Sequence, residues 1–123
     1  MSSRRSQYNL DLIRRMLDGT LAKENINAYE QIFSEDVVIH GSGQEVQGLA
    51  AAKQLDSALS QGFRKQSMEI HDMFAGDDRV VVYWTLRAYY RGEYEDLAAR
   101  NKEATVRGIS IYRITKGKIS EVW

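Results

Sequence analysis

From Arg79 the chain reads RVVVYWTLRAYYRGEY, and from Gly108 it reads GISIYRITKGKISEVW; these two runs constrain the fold more than any other feature. Both are dense in β-branched and aromatic residues, which suit a pleated, half-buried surface. A turn signal at Gly76, Asp77 and Asp78 precedes the first run, and a second at Thr115, Lys116 and Gly117 divides the other. The pattern predicts four antiparallel strands: about Met68 to Phe74, a long strand from Arg79, about Thr105 to Ile114, and a last strand from Lys118. A sheet this long needs something apolar against one of its faces.

The first half of the chain supplies it. Asn9 is placed to cap a helix in which Leu10, Ile13, Met16, Leu17 and Leu21 recur at helical spacing. Asn25 reads as the cap of a short helix with Ala28, Tyr29, Ile32 and Phe33 on one face. Ser34, Glu35 and Asp36 break that pattern, and Val37, Val38 and Ile39 form a short strand ending at His40. The segment GSGQEVQG reads as a turn with a small strand. A third helix from about Leu49 to Phe63 buries Ala52, Leu55, Leu59 and Phe63. Residues 1–7 read as a flexible tail, 8–123 as a single domain, and about Glu95 to Glu103 as a charged loop. Helices first and a meander last indicate an α+β fold, with the helices packed in a strongly curved antiparallel sheet. Such a sheet leaves a cone with an apolar interior, a natural ligand site.

Composition narrows the partners. With 123 residues the chain buries its own core without disulfides. Seventeen basic residues balance seventeen acidic ones, so no net field recruits nucleic acid or an anionic membrane. Cysteine is absent, which excludes thiolate nucleophiles and cysteine-ligated metals. No apolar run reaches the roughly 18 residues of a membrane span, so a cytoplasmic protein with no membrane partner is expected. Two isolated histidines, His40 and His71, argue against a zinc site, and GSGQEVQG lacks the lysine of a phosphate loop. No metal and no cofactor are expected.

FSEDVVIHGSG after the second helix, the Gly48-led third helix, GDDRVVVYWT, RGEY and GISIYRITKGKISEVW together resemble the NTF2-like superfamily, in particular its SnoaL-like polyketide cyclase (ester cyclase) branch. The resemblance runs from about Leu10 to the last residue. It implies an NTF2-like cone that binds a small hydrophobic or aromatic ligand, and a homodimer formed through the outer sheet face. It also implies cofactor-free proton transfer on a carbonyl compound, such as aldol-type cyclisation or isomerisation. The superfamily includes ketosteroid isomerases, dehydratases, epoxide hydrolases and pockets without known catalysis, so the site must decide. Ketosteroid isomerase chemistry is disfavoured: its base aligns with Gly41, its tyrosine near Leu17, and no aspartate lies between Ala104 and Trp123. The cyclase aspartate falls shortly after an EVW-like stretch, beyond the last residue of this sequence. Either the sequence is shorter than the native chain or the domain lacks that acid.

Strand alternation puts Val80, Val82, Trp84, Leu86, Ala88 and Tyr90 on the inner face of the long strand, and Ile119, Glu121 and Trp123 on that of the last. The candidate catalytic residues are Tyr90, His40 and Glu121. Tyr90 stands where many cyclase-like relatives carry a histidine, and its phenol can donate to a developing enolate or simply line the pocket. His40 can serve as a general base or as a rim residue bonded to a loop. Glu121 can shuttle a proton or pair with Arg107 or Arg113 on the adjacent strand. His71 reads as a surface or sheet-face residue. Trp84, Trp123, Tyr29, Phe33 and Leu86 are the expected pocket lining, with plain core packing as the alternative for the tryptophans. Tyr83, Tyr89 or Ile111 would serve a dimer contact.

Overall fold

The computed structural model describes residues 4–18, 28–41, 43, 45–90 and 103–123, with backbone alone at 59–66 and 90. Helix α1 (Arg4–Leu17) turns its Asn9 and Ile13 face to the sheet. Asn9 is therefore not a cap. It lies one turn before Ile13 on the buried stripe and is 2% exposed, and residues 4–7 of the expected tail are helical. The Tyr8 hydroxyl donates to the Gly117 carbonyl at 3.2 Å, tying α1 to the far end of the sheet. The expected cap at Asn25, with Leu21, lies outside the described residues.

Short α2 (Ala28–Ile32) leads directly into β1 (Phe33–His40), which starts four residues earlier than the sequence suggested. Ser34 belongs to the strand because its Oγ donates to the Ile119 carbonyl at 2.8 Å. Strand β2 (Glu45–Gln47) folds back on β1, and the Gly48 amide donates to the Val37 carbonyl at 2.7 Å. The Gly48 carbonyl then accepts the first bond of α3 (Leu49–Gly62), from the Ala52 amide. Ala52 is buried, but Leu55 is 37% exposed and not part of a buried stripe. The contact face of α3 centres on Ala52, which carries Leu55 to its edge.

Strands β3 (Phe63–Gly76), β4 (Arg79–Tyr90), β5 (Glu103–Thr115) and β6 (Lys118–Val122) complete a sheet of order β2-β1-β6-β5-β4-β3. All neighbours are antiparallel except β1 and β6, which run parallel. The β5–β6 turn carries positive φ at both Lys116 and Gly117, the primed geometry that matches strand twist. Apart from Glu103, which opens β5, the expected charged loop lies outside the described residues.

Apolar alternation holds along β4, where Val80 and Val82 are fully buried. They pack with Ile13, Val37, Ile114 and Ile119 into a core between α1, α2 and the sheet. Each such side chain is worth roughly 1.5–3 kcal/mol of burial. This helix-covered side is the concave side.

Extra residues break the alternation elsewhere, among them Gln66, which stands between Lys65 and Ser67 opposite the consecutive Ala88 and Arg87. On β6, Glu121 pairs with Arg113 but Ile119 pairs with Ile114, so Ser120 is a bulge. On β3, Ile70 pairs with Trp84 but Asp72 with Tyr83, so His71 is another. The bulge at Ser120 reverses the sequence-based expectation for the last strand. Val122 pairs with buried Tyr112 and packs on the core beside Ile119, which leaves Glu121 and Trp123 on the opposite, outer face.

Candidate functional site

On the concave side, β4 opens as it runs. Val80 and Val82 are sealed, whereas Trp84 and Leu86 are only partly buried before Ala88 closes again at 5%. Trp84 packs at the border of the core and donates from Nε1 to Ser110 Oγ at 2.9 Å. Its cross-strand partner is Gly108. Burial pushes the neighbouring Tyr112 phenol up, opposed by a hydrogen bond with Ser110. Backbone register places Tyr90 at the end of β4, opposite Phe63; its side chain lies outside the described residues.

Tyr29 and Phe33 stack with ring centroids 5.0 Å apart against the same core. The Tyr29 phenol is pushed up to about 12, first by burial and then by the charge of Asp56 on α3 and a hydrogen bond to it. Tyr29 is thus committed to the α2–α3 contact through its hydroxyl and to the core through its ring. An ion pair between Glu30 and Lys53 spans the same two helices on the surface.

On the outer face the structure joins two of the expected catalytic residues. His40 Nε2 and Glu121 Oε2 are 2.6 Å apart, and the other Glu121 oxygen accepts from Arg113 Nη1 at 2.8 Å. His40 Nδ1 lies 3.4 Å from Glu45, so both ring nitrogens face carboxylates. Trp123 stacks on His40 at 5.4 Å, with the Arg113 and Arg79 guanidinium groups 5.2 and 5.7 Å from its ring. Asp78 completes the cluster 3.6 Å from Arg113 Nε. The Arg113 pairing expected as the alternative for Glu121 is present, and Trp123 is 38% exposed on this face. A groove of about 700 Å³ opens beside the cluster, lined by Ser34, Val38, Arg113, Lys116, Ser120 and Glu121 among others.

His71, in its bulge, lies 2.6 Å from Thr85 Oγ1 with its ring on Tyr83 at 4.7 Å. That contact, on the sheet face, covers Thr85 and leaves it 7% exposed. Sequence reasoning missed Ser110 and Gly108, whose only signal was a small residue directly across from a tryptophan and a serine two residues further along the same strand. It also missed the buried Asn9, whose Nδ2 has no hydrogen-bond partner. Among the described residues no three His, Asp or Glu side chains converge as metal ligands. Nor is any helix among them long and apolar enough to cross a membrane.

Solved structures share this architecture. A protein from Jannaschia sp. CCS1 assigned as a SnoaL-like polyketide cyclase superposes with a TM-score of 0.84 at 17% identity, over 99% of this chain and 87% of that one. A protein from Xanthomonas campestris pv. campestris assigned as a polyketide cyclase gives 0.79 at 18% identity, over 96% and 89%. An LEH-like epoxide hydrolase of M. tuberculosis gives 0.74 at 12% identity, over 98% and 79%. At these identities the likeness is one of fold. No curated protein matches the sequence. A sequence profile of the SnoaL-like domain matches residues 13–122, nearly the whole chain. With the helix-lined sheet, its strand order and that match in hand, the chain belongs to the SnoaL-like family of the NTF2-like superfamily.

Proposed function

We propose that this protein binds an apolar or aromatic small molecule on the concave side of its sheet, against Trp84 and Leu86. The observation that carries this reading is the change along β4 from sealed Val80 and Val82 to half-open Trp84 and Leu86. A wall that its own side chains leave partly uncovered is where a ligand gains most from desolvation. Relatives of the same fold that are named as polyketide cyclases and an epoxide hydrolase support a small organic ligand. The chemistry assigned to that ligand is cofactor-free proton transfer on a carbonyl compound, of the aldol cyclisation or isomerisation kind. Tyr90, which ends β4 on the same alternation as Trp84 and Leu86, is its proposed donor. His40 and Glu121 face away from this ligand across the sheet, and they act as a structural pair.

Calorimetric titration with aryl ketones tests the binding. Trp84→Ala is expected to weaken it about tenfold, as loss of a stacking wall and its burial implies; an unchanged affinity overturns the reading. Exchange of the ketone's α-protons in heavy water tests the chemistry. Exchange lost in Tyr90→Phe and kept in His40→Ala is expected, and the reverse moves the reaction to the outer face.

A second reading has its own observation. Phe74, Val81, Ile111 and Trp123 stand side by side across β3 to β6 on the outer face. Phe74 is 56% exposed, and Ile109, beside this row, is 66% exposed. Such a patch suits a homodimer formed through the sheet, by an isologous contact.

A further inference from the structure

Trp84 is held by two residues of β5. Besides the Nε1 bond to Ser110, its benzo ring lies on Gly108. A Cβ added to Gly108 would stand 2.5 Å from Cζ2, with Cη2 and Cε2 at 2.9 and 3.0 Å. Two ring neighbours only slightly farther than the nearest atom mean that the Cβ would strike the face of the ring, not its rim. The indole therefore lies flat on the backbone of β5. One face covers the sheet and the other turns to the concave side. Any side chain at Gly108 must displace this ring, because the Gly108 backbone is fixed in the continuous β4–β5 ladder and is the stiffer partner.

We infer that Gly108 and Ser110 are positioning residues for ligand recognition: together they clamp the Trp84 indole flat, so the pocket presents a fixed aromatic face that selects a planar ring over a puckered one. The inference rests on the ligand site proposed above. A planar ring can lie against the indole at stacking distance, while the axial hydrogens of a saturated ring hold its skeleton off. Aromatic stacking beyond area burial is worth roughly three- to tenfold in affinity. Ser110 sets the in-plane rotation of the indole through the hydrogen bond, and Gly108 sets its height above the strand.

The test uses Trp123→Phe as the background, which leaves Trp84 as the single indole. Near-ultraviolet circular dichroism and acrylamide quenching report the ring, and naphthol and decahydronaphthol are the paired probes. In the background protein Trp84 should give a strong aromatic signal, and naphthol should bind roughly three- to tenfold tighter than decahydronaphthol. Gly108→Ala should collapse the signal, raise quenching about twofold and bring the two affinities together. Ser110→Ala adds no volume and should do the same to a smaller degree, which keeps the test valid if Gly108→Ala fails to fold. An aromatic signal and quenching unchanged in folded variants overturn the clamp. A clamp confirmed by spectroscopy, with neither probe bound by the background protein, overturns ligand selection and the ligand site together. A planar preference that survives both substitutions overturns the selection alone.

Discussion

The two faces of this sheet are built from the same strands, yet they hold together by different physics. On the concave face, Val80, Val82, Ile114 and Ile119 are buried and depend on close packing. On the outer face, Glu121 is bonded to both His40 and Arg113 by charge-assisted contacts, and Asp78 is ion-paired with Arg113, while the cluster stays in reach of water. The concave face tolerates loss of volume poorly, and the outer face tolerates loss of a charge poorly. The difference also bears on where the proposed chemistry lies. A His and a Glu at 2.6 Å look like a general base with its orienting acid, but both His40 nitrogens are turned to carboxylates. That arrangement supports the structural role proposed for the pair.

The largest effect expected from this contrast is at Ile119, which is fully buried and joins β6 to the core. Ile119→Ala should cost about 2–5 kcal/mol in urea unfolding, the usual price of a core cavity. A loss below about 1 kcal/mol would mean the concave face is less tightly packed than its burial implies. Glu121→Gln comes next. It removes the charge that His40 and Arg113 share, and a drop of about 1–3 kcal/mol is expected from charge-assisted bonds that are mostly buried. Ketone binding on the concave side should be unchanged. If Glu121→Gln leaves stability intact and abolishes binding or proton exchange, the division between the faces is wrong.

Most of the scaffold was legible from the chain because strands and turns write themselves in local residues. The Gly76–Asp78 turn, the long β4 run and the Lys116–Gly117 turn all stand where composition puts them. The faces of β6 were not legible by strict alternation, since one extra residue inverts everything beyond it. A signal was nevertheless present. Ile119 and Val122 are three residues apart, and so are Ile70 and Met73, a spacing that no regular strand can turn to one face. Each pair brackets a bulge, at Ser120 and His71. The position of Asn9 was illegible for another reason. An asparagine ahead of an apolar stripe reads as a cap, and only tertiary packing shows that α1 began a turn earlier.

Asn9 gives a smaller prediction on the concave side. Its Nδ2 is buried without a hydrogen-bond partner, a desolvation cost the fold carries with no visible return. Asn9→Leu should raise stability by about 1 kcal/mol in thermal unfolding. A loss instead would show that this amide has a partner in solution, such as a buried water or a ligand.

Ile109→Lys should produce the smallest change in stability and the sharpest test of the outer face. Ile109 is 66% exposed, so an isolated domain should register the substitution within about 0.5 kcal/mol. A domain paired through this face should register it in mass. A lysine would stand beside the row of Phe74, Val81, Ile111 and Trp123, and in an isologous contact it would bring two ammonium groups into one desolvated patch. Light scattering should then give a dimer for the parent and a monomer for Ile109→Lys, with ketone binding kept because the concave wall is untouched. A parent that is already monomeric removes the dimer reading and leaves the patch as plain exposed surface. A monomeric variant that also loses the ligand would join the two faces into one functional unit, with the sheet transmitting the contact through β5, the strand on which Ile109 and the Trp84 partners Gly108 and Ser110 sit side by side.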